Sequence, residues 1–312
     1  MIPYIRVPSI PIAGPIKLHP FGILVATAVI LGTSIAMRRA RKIGYNVYAL
    51  NSFITWMLVG GFLGGHVLDS IFYHWDEVVR RPISLLYIWE GLSSFGGFSG
   101  ALVGILLWKF FDYQQGRGIV RIRKPRSIFA YVDLILSVFP VAWIIGRAGC
   151  STVHDHPGAR AAADSILAVG YPSERAEAAM AATKFEIIWG KFPRYDLGLL
   201  EMLFSIVLAL AFALTWKRKL PIGTYIVATA FTYAPVRFAL DFLRIPEREG
   251  GDTRHYGFTF AQWECIALLL FGVFALMYVV RLRREGIDLE KEALEPAKTK
   301  TPDLDDEVAE GS

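Results

Sequence analysis

Apolar residues gather in long runs along this chain, and charged stretches separate the runs. Seven runs predict membrane-spanning helices, at 21–37, 52–73, 95–111, 128–148, 197–216, 222–242 and 259–280. A helix of about 17–25 largely apolar residues crosses the hydrocarbon core of a bilayer. The fifth run reads LGLLEMLFSIVLALAFALTW. The third opens on glycines, FGGFSGALVGILLWKFF, and small residues of this kind let helices approach closely in lipid. The pattern reads as an all-α integral membrane protein with seven transmembrane helices. A soluble all-helical protein is the alternative, but seven such segments would leave it little polar helix surface to cover its core.

Composition and charge sharpen this picture. Of the 312 residues 54% are hydrophobic and 20% charged, against about 25% charged in soluble domains. Arg38, Arg39, Arg41 and Lys42 follow the first span; Arg117, Arg121, Arg123, Lys124 and Arg126 follow the third. Lys217, Arg218 and Lys219 follow the fifth, and Arg281, Arg283 and Arg284 the seventh. Basic residues concentrate in cytoplasmic loops, so these alternate clusters predict an outside N-terminus and a cytoplasmic C-terminus. They also account for the net charge of +5 without a nucleic-acid partner. Residues 1–20 read as an outer interfacial arm, 21–284 as the membrane domain with a periplasmic loop at 150–196, and 285–312 as a disordered cytoplasmic tail. The alanine-rich stretch 159–185 reads as helical.

Ionisable residues inside spans are costly and point to function. Asp133, Arg147, Arg237, Asp241 and Glu264 are the candidates. In TYAPVRFALDFLR, Tyr233, Arg237 and Asp241 recur every four residues, and Arg244 extends the same helix face. A phenol, guanidiniums and a carboxylate on one stripe suit a phosphate beside an acyl chain, because the planar guanidinium donates in pairs. An ion pair that snorkels to the interface is the plainer reading. In GRAGCSTVHDHPG, residues 146–158, Arg147 is followed by Gly149, Cys150, His154, Asp155, His156 and Gly158. The plainer reading is a glycine-rich helix exit; a zinc site at His154-x-His156 with Asp155 is a further one. In WEGLSSFGGFSG, residues 89–100, Gly96 and Gly97 offer backbone N–H groups to an anionic head group, or simply pack helices.

These stretches, in this order, resemble the bacterial prolipoprotein diacylglyceryl transferase family. The family signature reads roughly G-R-x-G-N-F-x-N-x-E-x-x-G, and here Gly146, Arg147, Gly149 and Gly158 match it, with Asp155 as the acid. Asp133 and Pro140 stand at the family's spacing upstream. Tyr233, Arg237, Phe238, Asp241, Phe242 and Arg244 follow the late motif Y-x-x-x-R-F-x-x-E-F-x-R, and Ala261-Gln262 resembles the family's G-Q. His19 and Gly22 resemble its opening, and the likeness runs from about residue 14 to 280.

The resemblance implies transfer of diacylglycerol from phosphatidylglycerol to the lipobox cysteine thiol of a preprolipoprotein, in the bacterial inner membrane, with no cofactor and no metal. It implies catalytic roles for Arg147, Arg237, Tyr233 and Asp155. Gly149, Gly158, Gly96, Gly97, Asp241, Arg244 and Gln262 would bind substrate, with Asp155 and Asp241 holding the arginines. Three polar family positions differ: the histidine before the paired glycines is Phe95, a tyrosine of the first span is Phe21, and the signature asparagine is Cys150. His154, His156, His66 and His255 are the candidate substitute bases. A non-catalytic phospholipid-binding relative, and a transferase with another acceptor, remain open.

Overall fold

In the computed structural model the described residues are 1–13, 16–87, 91–114, 116–122, 125–174, 184–218, 220–249, 251–287 and 293–294. The chain divides into two compact units, the first formed by 1–36 and 132–287, the second by 37–131 and 288–312.

The first unit joins a small sheet to five apolar helices. Strands β1 (Ile2–Arg6), β6 (Pro157–Arg160), β7 (Ala168–Tyr171), β8 (Glu186–Ile188) and β9 (Phe192–Asp196) lie in the order β6-β9-β7-β1-β8. β1 runs parallel to β7, with Ile2 opposite Val169, and antiparallel to β8, with Tyr4 opposite Ile188. Tyr4, Val169 and Tyr171 form its buried core, and burial pushes the Tyr4 phenol up to about 12. Strands β2 (Ile10–Ala13) and β3 (Ile16–Leu18) make a hairpin. The helices are α1 (Pro20–Ile43), α5 (Phe129–Val153), α6 (Leu197–Leu214), α7 (Thr224–Leu240) and α8 (Phe260–Arg284). Their starts are fixed by polar side chains. Asp196 accepts from Leu199 N at 2.9 Å to cap α6. Asp133, on α5, accepts from Tyr225 N at 2.8 Å and Ile226 N at 3.0 Å, and so caps α7. Thr259 and Gln262 form a reciprocal capping box on α8.

The second unit contains α2 (Val47–Tyr73), α3 (Trp75–Arg80), α4 (Ser94–Phe110) and the hairpin β4 (Phe111–Gln114) and β5 (Gly118–Arg121). α2 and α4 meet along glycines. A Cβ on Gly64 would stand 2.6 Å from Gly100 Cα, and one on Gly60 2.9 Å from Gly104 Cα. This bare contact is how helices pack where lipid removes the hydrophobic drive between them. Phe53, Trp108 and Tyr131 stack beside it, and Trp108 Nε1 donates to Ser52 at 3.2 Å.

Among the described residues six helices are long and apolar enough to cross a membrane. Many of their apolar side chains face outward; Leu210, Leu214 and Leu270 are 64%, 82% and 66% exposed. The expected third span is α4, whose 17 residues fall outside those six. At 1.5 Å per residue it reaches about 26 Å, short of the roughly 30 Å core.

Two sequence expectations are corrected here. Residues 1–20 are not only an arm, because β1 is an inner strand of the sheet. The stretch expected to be helical, 159–185, contains strand β7 and the end of β6 in its described part, and 175–183 lies outside the described residues. The strand edges of β7 and β9 satisfy each other along four residue pairs, which local helix propensity cannot foresee. The tail expectation falls almost wholly outside the described residues.

Candidate active site

Helices α5, α6 and α7 turn four polar side chains inward onto one carboxylate. Glu201 on α6 is 2% exposed. Its Oε2 lies 3.0 Å from Arg147 Nε on α5 and 3.4 Å from Arg237 Nε on α7. Its Oε1 accepts from Trp143 Nε1 at 2.8 Å and from the Tyr233 hydroxyl. The Arg147 guanidinium lies over the Trp143 ring, 4.5 Å from its centroid. Arg147 and Trp143 are four residues apart, as are Tyr233 and Arg237, so each helix delivers its pair from one face.

A second carboxylate continues the cluster. Asp241, fully buried, takes Arg237 Nη1 at 2.8 Å and Arg244 Nε at 2.7 Å. It also accepts from the Thr259 hydroxyl, and Arg244 reaches Asp252 at the edge. Gln262 donates to the Phe238 carbonyl at 3.3 Å, tying α8 to the helix that carries Arg237. Three guanidiniums face Glu201, Asp241 and, at the edge, Asp252, so the cluster is balanced in charge and what it offers an anion is fixed guanidinium forks. Inside apolar helices such forks attract an anion more strongly than they would in water.

The sequence expectations meet this geometry unevenly. Arg147, Arg237 and Tyr233 converge, and Asp241 and Arg244 support them. The acid against Arg147 is Glu201, not Asp155, which pairs instead with His156 at 2.9 Å. Glu201 was missed although a lone acid inside the apolar fifth run is itself a signal. Asp133, read as a functional candidate, is a helix cap. Gly158 bridges to Arg244, and a Cβ there would meet the Leu243 and Tyr195 carbonyl oxygens at 2.8 Å. Gly149 packs on Phe21, whose ring would lie 3.2 Å from a Cβ.

Gly96 and Gly97 belong to the second unit. Gly96 N already donates to Ser93 Oγ and Gly97 N to Ser93 O, both at 2.9 Å, so packing and capping are their described roles. Phe95 meets Phe72 edge-on at 5.8 Å.

Of the four candidate bases, His154 is corrected. It is 4% exposed and stacks on Tyr4 at 3.7 Å. Nδ1 faces Asp196 at 2.6 Å and Nε2 faces the Ile5 carbonyl at 3.0 Å. Both ring nitrogens are therefore already engaged within the sheet, and neither is open to a substrate. His66 is buried in the second unit, with Nδ1 3.4 Å from the Gly91 carbonyl. His255 sits on an exposed turn against Phe260. His156 lies near Cys150 Sγ, at the end of the helix that carries Arg147.

A model of the prolipoprotein diacylglyceryl transferase family matches residues 8–278. Among curated proteins the chain is 27% identical over 276 residues to a phosphatidylglycerol–prolipoprotein diacylglyceryl transferase of Neisseria meningitidis, covering 83% of this chain and 91% of that protein. It is 27% identical to a protein of that name from Photorhabdus laumondii, with 86% and 90% covered. A third, from Pectobacterium carotovorum, is 24% identical, with 88% and 93% covered.

Proposed function

The chain belongs to the prolipoprotein diacylglyceryl transferase family, and from that premise we propose that it moves a diacylglyceryl group from phosphatidylglycerol to the lipobox cysteine of a preprolipoprotein. The observation that carries this reading is Glu201 held between Arg147 and Arg237, with Tyr233 on the same carboxylate. In the reaction a thiolate sulfur attacks the glycerol carbon that bears the phosphate. A C–S bond forms, the C–O bond breaks, and glycerol phosphate leaves with the electron pair. Negative charge grows on the phosphate as the bond breaks. Preorganised guanidiniums in a dry site stabilise that charge more than they stabilise the neutralised ground state. Arg147 and Arg237 take this role, and Tyr233 orients the head group. Glu201 and Asp241 keep both forks in place. Gly149 and Gly158 let Phe21 and the Leu243 and Tyr195 backbone close tightly around the site, and Arg244 and Gln262 hold the far side.

The protein works as a multi-pass protein of the bacterial inner membrane. In this reading α4 is the seventh, short span, the N-terminus is outside and the C-terminus is cytoplasmic, which sets Arg147 and Arg237 near the outer leaflet.

Purified protein mixed with phosphatidylglycerol and a lipobox peptide is expected to release glycerol phosphate and to yield a peptide heavier by one diacylglyceryl group. Arg147→Ala and Arg237→Ala are expected to lose both products. Turnover by either variant at the parent rate would overturn the catalytic reading. Phe95 packed on Phe72 and Phe21 on Gly149 favour one second reading, a phospholipid-binding relative without turnover. Phosphatidylglycerol binding with neither product selects it.

A further inference from the structure

The chemistry above needs a thiolate, because the thiol itself attacks poorly, and Phe95 cannot take a proton. Beside the arginine cluster the chain gathers three groups of a different kind. Cys150 Sγ, a carboxylate oxygen of Asp155 and a ring nitrogen of His156 lie within 4.8 Å of one another. Cys150 is on the last turn of α5. His154 then adopts a left-handed conformation, φ 51°, which turns the chain back towards that turn. His154 is withdrawn from any ligand set by Asp196 and Ile5, so the pair of histidines visible in the sequence is replaced by one histidine and a thiol.

We propose that Cys150, Asp155 and His156 bind one Zn2+ ion whose fourth position takes the sulfur of the acceptor cysteine; this rests on the transfer reading above. The donor set suits zinc, which takes thiolate sulfur at about 2.3 Å and imidazole or carboxylate at about 2.0–2.2 Å. In a tetrahedron these lengths put ligand atoms roughly 3.3–3.6 Å apart. The remaining closure, up to about 1.2–1.5 Å, falls to side chains that can move: Asp155 is 38% and His156 20% exposed at the side chain. His156 Nδ1 is buried and makes no hydrogen bond, although Asp155 Oδ1 is 2.9 Å away. The two atoms are poorly aligned for donation to each other and are available to a shared ion. One thiolate and one carboxylate balance the dication.

Three protein ligands and one open position are the arrangement of a zinc site that handles substrate. A thiol that coordinates zinc loses its proton. Here the S–H proton of the acceptor cysteine passes to water as the Zn–S bond forms. The sulfur then attacks the glycerol carbon, the C–S bond replaces the Zn–S bond, and the C–O electron pair leaves on the phosphate. No oxidation state changes. The placement is apt: Arg147 Nη1 lies 3.7 Å from Cys150 Sγ, so the ion stands at the shoulder of the phosphate site. Cys150 is also where this chain departs from the family asparagine.

The test uses the full chain in detergent, stripped with a chelator and reloaded with Co2+ alone. One Co2+ per chain is expected, with tetrahedral visible bands and a near-ultraviolet thiolate-to-cobalt band. Cys150→Ser should lose the thiolate band, and Asp155→Asn, altered at a partly exposed carboxylate, should lose stoichiometric binding. Cys265→Ser should keep both. A lipobox peptide should intensify the thiolate band, and its serine counterpart should not. No cobalt spectrum, or a thiolate band that survives Cys150→Ser, overturns the proposal. So does full transfer by the metal-stripped protein, an outcome that leaves the transferase reading standing. A peptide-responsive cobalt spectrum without any lipidated product supports the metal site and removes the transferase reading instead.

Discussion

The α2–α4 seam and the Arg147–Glu201–Arg237 cluster solve the same problem in opposite ways. Both hold helices together in surroundings where apolar side chains gain nothing by choosing each other over lipid. The seam removes side chains until backbones touch, at Gly60, Gly64, Gly100 and Gly104. The cluster inserts ions. Desolvating three guanidiniums and two carboxylates costs more than packing glycines, and a buried ion pair seldom outperforms an apolar pair of equal shape. Adhesion alone therefore explains the seam and does not explain the cluster. That excess cost is what supports the proposal that the chemistry takes place at the cluster.

The comparison can be broken at either end. Glu201→Ala should have the largest effect, because it leaves two guanidiniums without their shared partner. A loss of about 3–5 kcal/mol is expected from such an uncompensated pair, seen as early unfolding in detergent together with loss of lipid transfer. Parent-like melting would show that lipid or water replaces Glu201 at no cost. Gly100→Val comes next: the added carbons meet Gly64 Cα and the α2 backbone, and overpacking costs about 1–3 kcal/mol. Its stability should drop, while the transfer rate of the surviving folded protein stays near the parent value. Asp133→Ala tests whether every buried acid of the first unit is functional. Loss of the α7 cap costs about 1 kcal/mol, and transfer per folded molecule should not change. The smallest effect belongs to Gly97→Ala. Its added carbon meets only the Gly61 carbonyl oxygen at 3.9 Å, so melting should move by less than about 0.5 kcal/mol; Gly96→Ala, against the Gly64 carbonyl, should destabilise more.

What the sequence disclosed follows from the range of the interactions involved. Apolar runs report on the solvent around a helix, so α1, α2 and α5 to α8 were legible, as was the stripe that puts Tyr233 and Arg237 on one face. The third run was legible as a helix, but its 17 residues are marginal for crossing. Partners far apart in sequence were not legible. Glu201 stands 54 positions from Arg147 and 36 from Arg237, and only the approach of three helices makes it the common acid. His154 looked like a free base because Asp196 and Ile5, which occupy its ring, come from β9 and β1. Strand β7 hid inside an alanine-rich stretch because its partners, β1 and β9, lie outside it.

One strand also sets an order of assembly. β1 is synthesised first, yet its neighbours are Ala168–Tyr171 on one side and Glu186–Ile188 on the other. Closing a loop of that length is entropically slow. Until β7 and then β8 have emerged, Ile2–Arg6 has no strand on either side, and the Ile5 carbonyl is not held beside His154. Residues 155 and 156 are thus fixed only when the chain's two distant ends of this sheet meet. During biogenesis the loop beside Cys150 is thus set after Arg147 is made and before Glu201 and Arg237 follow, and a chain stalled before β8 carries Arg147 with neither a fixed loop nor its partners on α6 and α7.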